Sequence, residues 1–232
     1  MPDDPRPPPP RPPDPAVPPV TAGRTLDHAA AIYDWAMPVM SVGMERPCQR
    51  RVESLLQLSG NERILDVGCG TGSLTLALAR RLQAESGGLA VGLDAAPKMI
   101  AVARRKAAAT GLATVRFDIA AAETLPYLDA SFDCGVSSFF FHHVNFELKV
   151  RCLKELRRVM VPGGRLVIAD VDIPTTLFGR VCAWSGFLLF QQEEIRENIR
   201  GRLREAFAAA GWTQGRQVAH LAGYISVFDL RG

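Results

Sequence analysis

Ile64-Leu65-Asp66-Val67-Gly68-Cys69-Gly70-Thr71-Gly72-Ser73 is the stretch that decides the fold. Ile64 to Val67 reads as a short apolar strand, and glycines then occupy alternate positions. Leu74 to Leu82 follows in helical period. Glycine permits a tight turn and a close approach of backbone to ligand. The helix that comes next presents N–H groups with no partner inside the helix. Strand, glycine turn and helix, in that order, open a βαβ unit.

Downstream the same alternation continues. Leu89 to Asp94 is a second strand, and Pro97 opens a helix through Ala109, where its missing N–H costs least. Val115 to Ile119 is a third strand and Phe132 to Ser138 a fourth. Phe146 to Met160 is a helix stopped by Pro162-Gly163-Gly164, and Arg165 to Asp172 a fifth strand. A helix is expected over about 191–210, then strand-like runs at 215–220 and 222–229. Strands alternating with helices predict an α/β fold with a doubly wound, mostly parallel sheet of about seven strands. The last two runs lie too close for a crossover helix and are expected as an antiparallel edge hairpin.

Upstream, residues 25–58 read as helical in two segments separated near Pro38 to Gly43. Eleven of the first twenty residues are proline, which disfavours helix and sheet alike. The expected organisation is a disordered proline-rich tail over 1–22, an N-terminal helical lid over 23–60 and a ligand-binding core over 61–232. The P-x-x-P spacings in Pro7 to Pro13 fit either an SH3-like or WW-like groove or a solvated tail.

Composition narrows the function. The 232 residues are 47% hydrophobic and 22% charged, with a net charge of +3. That excludes global disorder and gives no basic footprint for nucleic acid. The basic residues Lys149, Arg151, Lys154, Arg157 and Arg158 read as a solvated helix face. No apolar run reaches the roughly 18 residues of a membrane-spanning helix, and Phe178 to Phe190 is short and carries Arg180. Met1-Pro2-Asp3-Asp4 lacks the basic and apolar segments of a secretory signal. The five cysteines form no C-x-x-C pair, and the four histidines are dispersed. Reduced thiols, a cytoplasmic location and no metal site are expected.

In an open parallel sheet, ligands sit beyond the carboxyl ends of the strands, where strand order reverses. Asp94 ends the second strand, 22 residues after Gly72, where a carboxylate can accept both hydroxyls of a ribose. A dinucleotide fingerprint wants a small third residue at position 73, whereas here the glycines read G-x-G-x-G. Asp66 beside the loop suits a ligand with a cationic amino group and sits poorly beside a pyrophosphate. S-adenosylmethionine has the amino group, the ribose and no phosphate.

These segments resemble the class I S-adenosylmethionine-dependent methyltransferases. Ile64 to Gly72 looks like their first motif, and Val91-Gly92-Leu93-Asp94 like their second. Ala122-Glu123-Thr124-Leu125-Pro126-Tyr127, Ser131-Phe132-Asp133 and Pro162-Gly163-Gly164 resemble three later ones. The subgroup most resembled is that of the ubiquinone/menaquinone-biosynthesis methyltransferases, over roughly residues 30 to 172. The resemblance implies a Rossmann-like fold and S-adenosylmethionine as cofactor. It implies that Asp94 binds the ribose, that Gly68, Gly70 and Thr71 line the methionine moiety, and that Met99 packs on adenine. Ala121 and Ala122 match the pair at the adenine edge, and Ser138 the residue closing the site. The family usually has Asp or Asn at position 121, so Ala121 forfeits a side-chain hydrogen bond to the adenine amino group; Asp118 is a candidate substitute.

Methyl transfer asks a protein mainly to align the reactants and exclude water, so a base is optional. His142 and His143 follow the fourth strand and are candidates to deprotonate or orient an acceptor; packing beneath the next helix is the alternative. Tyr33 resembles the aromatic of a lid over the cofactor, or else anchors its helix on the sheet. Val181, Trp184, Phe187, Leu188 and Phe190 read either as a cover over a small or lipid-like acceptor, such as a quinone-type ring, or as core under a lid helix. Peripheral membrane contact is a further expectation. An amine headgroup such as that of phosphatidylethanolamine and a non-catalytic binding module are the competing readings. Cys69 and Cys134 read as packing residues.

Overall fold

The computed structural model describes residues 21–23 and 43–232. Tyr33, the prolines of residues 1–20 and half of the expected lid lie outside the described residues. Seven strands form one sheet: β1 (Arg63–Val67), β2 (Leu89–Asp94), β3 (Val115–Ile119), β4 (Phe132–Ser138), β5 (Met160–Val171), β6 (Gln214–Leu221) and β7 (Ile225–Arg231). Their order is β3-β2-β1-β4-β5-β7-β6. The first five are parallel, while β7 pairs antiparallel with both β5 and β6. Strand order reverses between β1 and β4, so the carboxyl ends of these two strands open a crevice.

The helices are α1 (Glu45–Leu56), α2 (Ser73–Ala79), α3 (Pro97–Ala108), α4 (Phe146–Val159), α5 (Leu177–Phe190), α6 (Glu193–Ile199) and α7 (Arg202–Ala209). Side chains alternate across the sheet, and neighbours in one strand enter different cores. Leu65, Val67, Leu166 and Ile168 pack with Leu153, Leu156, Leu203 and Phe207 from α4 and α7. Ile64, Val136, Val167 and Ala169 face the opposite way, against Val52, Leu78, Ala183 and Ile195. Both faces of the sheet are therefore covered, as near-continuous apolar strands require.

Four local features differ from the sequence-based expectation. The helix over 191–210 is two helices, because Gly201 takes φ +86° and ends the run at Arg200. Residues 177–190, read only as bulky and apolar, form α5, with the Thr176 side chain accepting the Gly179 N–H at 3.0 Å as its cap. β5 begins at Met160, which pairs with Phe132, and the register shifts before Cys134 pairs with Arg165. The edge hairpin turns at Ala222 and Gly223, both with positive φ, so β7 starts at Ile225.

Of the solvated face expected of α4, Arg151, Lys154 and Arg157 are exposed, and one residue is corrected. Lys149 is fully buried, its ammonium donating to Glu197 Oε2 at 2.9 Å and to the Val144 carbonyl. Burial pulls its pKa below the usual lysine value, and Glu197 opposes the shift. Arg158 is held by Glu155 and Asp129. Among the described residues no helix is long and apolar enough to cross a membrane.

Candidate functional site

Two clefts meet at the crevice. The first spans about 650 Å³, its solvent-open mouth included, and is lined by Gly68, Gly70, Asp94, Met99, Ala122 and His143, among others. The second, of about 390 Å³, is lined by Asp66, Gly68, Cys69, Thr71 and Ser138. Gly68 and Phe139 belong to both, so one elongated ligand could thread the two. The glycine turn is pinned to β2, with Gly68 N–H and Cys69 N–H both donating to the Leu93 carbonyl. Gly68 and Gly72 have φ of +71° and +77°, and a Cβ on Gly68 would lie 2.5 Å from the Phe140 ring. Only glycine fits there.

Asp94 organises this turn. Its Oδ2 accepts the Gly70 N–H at 2.9 Å and its Oδ1 the Ala96 N–H at 2.9 Å. A carboxylate offers about four lone-pair sites, so holding two amides is compatible with receiving two ribose hydroxyls. Asp66 is buried and accepts the Thr75 hydroxyl at 2.6 Å. Burial pushes its pKa up to about 7, Thr75 works against the shift, and the Asp94 charge adds to it. An ammonium group beside Asp66 would favour the ionised form. The donors and acceptors present thus fit a nucleoside with a cationic amino group.

Met99, Ala120 and Ala122 line the first cleft, but Ala121 does not; it is buried one position off the wall. Asp118 is engaged elsewhere, accepting Arg116 on both oxygens and the Tyr127 hydroxyl at 2.9 Å. It is not among the residues that line the first cleft. The cysteines are free thiols, and burial raises the pKa of Cys69 and Cys134, as suits packing residues.

The two histidines lie in a 3₁₀ turn, Phe141–His143, just past β4. His143 lines the first cleft, and its Nδ1 lies 3.0 Å from Gln192 Oε1. His142 packs behind it, with ring centroids 3.9 Å apart, and its Nδ1 is 2.7 Å from Asp170 Oδ1. Phe139 enters this turn with φ +56°, a left-handed conformation that costs an aromatic residue on the order of 1–3 kcal/mol. Such strain is tolerated where a wall must be shaped, and Phe139 faces both clefts.

Sequence reasoning missed Phe139, Asp170, Gln192 and one further contact. Glu123 accepts the Thr21 hydroxyl at 2.8 Å and the Ala22 N–H at 2.9 Å. Thr21 and Gly23 line the first cleft, so the folded unit includes the last two residues assigned to the tail. An acidic residue near a strand's carboxyl end was the available signal for Asp170.

Known proteins share this architecture. A model of the Methyltransferase domain family matches residues 58–219. Demethylmenaquinone methyltransferase of Thermus thermophilus is 42% identical over 142 residues, which cover 61% of this chain and 62% of that protein. The chain therefore spans about three fifths of that relative's length. The enzyme of the same name from Geobacillus stearothermophilus is 31% identical over 207 residues, 82% of this chain and 87% of that one. A crystal structure of a SAM dependent methyltransferase from Aquifex aeolicus matches with TM-score 0.59 at 23% identity, covering 79% of this chain and 88% of that one, and so shares the fold. On the family match and these relatives, the chain belongs to the class I S-adenosylmethionine-dependent methyltransferases, in the subgroup of the ubiquinone/menaquinone-biosynthesis enzymes.

Proposed function

We propose that this chain methylates a small, lipophilic, quinone-type ring, using S-adenosylmethionine. The observation that carries the reading is the pairing of a glycine turn held by Asp94 with a buried Asp66 in the adjoining cleft. S-adenosylmethionine supplies, when bound, a methyl group on an electrophilic sulfonium. Asp94 would take the ribose hydroxyls and Asp66 the amino group. Gly68, Gly70 and Thr71 would flank the methionine part, with Ser138 closing that end. Met99 and Ala122 would pack on adenine, with Ala121 behind them. The acceptor class is supported by relatives named for demethylmenaquinone and by the aromatic wall of Phe139 and Phe140. His142 and His143 would stand at the acceptor, and Tyr33 is retained as a candidate lid aromatic over the cofactor. The five free thiols favour a cytoplasmic site of action.

Two measurements test this. Calorimetry on Asp94→Ala should show affinity for S-adenosylmethionine reduced about tenfold or more, as losing a charge-assisted hydrogen bond of roughly 1.5–3 kcal/mol requires. Unchanged affinity would move the ribose elsewhere. Incubation with a naphthohydroquinone and isotopically labelled cofactor should give a product labelled on a ring carbon. Label appearing instead on an amine headgroup, or no product at all, would overturn the quinone reading.

A further inference from the structure

Resting on the proposed placement of S-adenosylmethionine across the two clefts, we propose that Phe139 holds the sulfonium and tells the charged cofactor from its neutral product. Asp94 borders only the first cleft and Asp66 only the second. A ligand with its ribose on Asp94 and its amino group on Asp66 carries its sulfur between them. Among the described residues, Gly68 and Phe139 alone border both clefts. Gly68 has no side chain, so the side chain at the junction is that of Phe139.

The backbone of Phe139 is a second, independent observation. Its φ of +56° lies in the left-handed region, which glycine adopts freely and a bulky residue does not. Its N–H donates to the Ala169 carbonyl at 2.9 Å, which fixes the residue where β4 runs beside β5. Strain held in place by its surroundings clusters where a ligand is clamped. Phe140, the next aromatic, carries no such strain. It borders the first cleft only, has φ of −110° and stands against Gly68, where a Cβ would meet its ring at 2.5 Å.

An aromatic face is negative and attracts a cation lying within about 6 Å of the ring centroid. A sulfonium has no N–H or O–H to donate, so a ring face suits it better than a hydroxyl or an amide. Departure of the methyl group leaves the carbon–sulfur bonding pair on sulfur. The product is a neutral thioether, on which the ring finds no charge. Phe139 therefore favours S-adenosylmethionine over S-adenosylhomocysteine and loosens its hold once the transfer is done. Asp94 and Asp66 bind groups that the two ligands share, so neither carboxylate makes this distinction through its direct contact.

Calorimetry on the full chain, with the two ligands titrated side by side, tests this. Phe139→Leu should weaken S-adenosylmethionine binding about threefold to thirtyfold and S-adenosylhomocysteine binding less than about twofold. Phe140→Leu should weaken both by the same factor. Phenylalanines bearing increasing numbers of ring fluorines at position 139 keep the shape while draining the negative face. Across that series S-adenosylmethionine should bind stepwise more weakly while S-adenosylhomocysteine stays level, and the series decides the matter even if Phe139→Leu fails to fold. Equal losses for the two ligands in Phe139→Leu, or a flat fluorine series, would overturn the proposal. So would a selective loss at Phe140 with none at Phe139. Unchanged affinity of Asp94→Ala for both ligands would instead strike the placement across the clefts, and the fluorine series would still decide whether Phe139 senses the charge.

Discussion

On the proposed reading, Asp66 would couple ligand binding to pH. Its folded-state pKa is about 7, raised chiefly by burial, against an ordinary value of 3.8. Between these two values the unfolded chain has lost the proton that the folded protein keeps, so stability falls as pH rises through that window. Cofactor affinity runs the other way. The ionised form is the one that pairs with an ammonium group, so S-adenosylmethionine should bind more weakly as pH falls below about 7. Affinity in the unmodified protein should drop up to about tenfold per pH unit in that range, and Asp66→Asn should flatten the dependence. A flat profile in the unmodified protein would detach Asp66 from the amino group. Asp66, Gly68 and Asp94 were legible in the sequence because a strand end and the turn after it are local. Asp170, Gln192 and Glu123 were not, since the groups that reveal them are 28, 49 and 101 residues away.

At the scale of elements, legibility followed the strength of periodicity. β1 to β4, α3 and α4 fell close to their expected bounds, because apolar runs and proline or glycine punctuation mark them. α5 escaped because it is apolar nearly all round and has no helical period to read. The structure shows which of its residues face outward: Leu177, Phe178, Val181 and Leu188 are all more than half exposed. Exposed cations, Arg180 and Arg200, lie on α5 and at the end of α6. An apolar helix face with cations is what an anionic bilayer surface attracts, and a lipophilic acceptor would be drawn from one. The chain should co-sediment with vesicles containing anionic phospholipid, and Val181→Glu with Leu188→Glu should release it. Both positions are exposed, so folding should tolerate the changes. If the unmodified chain stays in the supernatant, the membrane reading of α5 falls.

For the whole molecule, the question is where the folded unit begins. Composition assigned residues 1–22 to a tail, yet Thr21 and Ala22 both donate to the buried carboxylate of Glu123. Gly23 lets the backbone run close to α4, since a Cβ there would stand 3.3 Å from Leu148. This short strap borders the first cleft, which Thr21 and Gly23 help to line. Two truncations separate tail from strap. Removing residues 1–20 takes away little apolar surface, so the melting temperature should barely move. Removing residues 1–23 also deletes both donors and strands a buried acceptor, at about 1–3 kcal/mol. For a chain of this size that corresponds to a fall of about 2–4 °C for each kcal/mol. Because the strap walls the cleft, the longer truncation should also speed release of S-adenosylmethionine, measured by stopped-flow displacement. Equal melting temperatures and equal release rates for the two truncations would mean that residues 21–23 hold neither the fold nor the ligand.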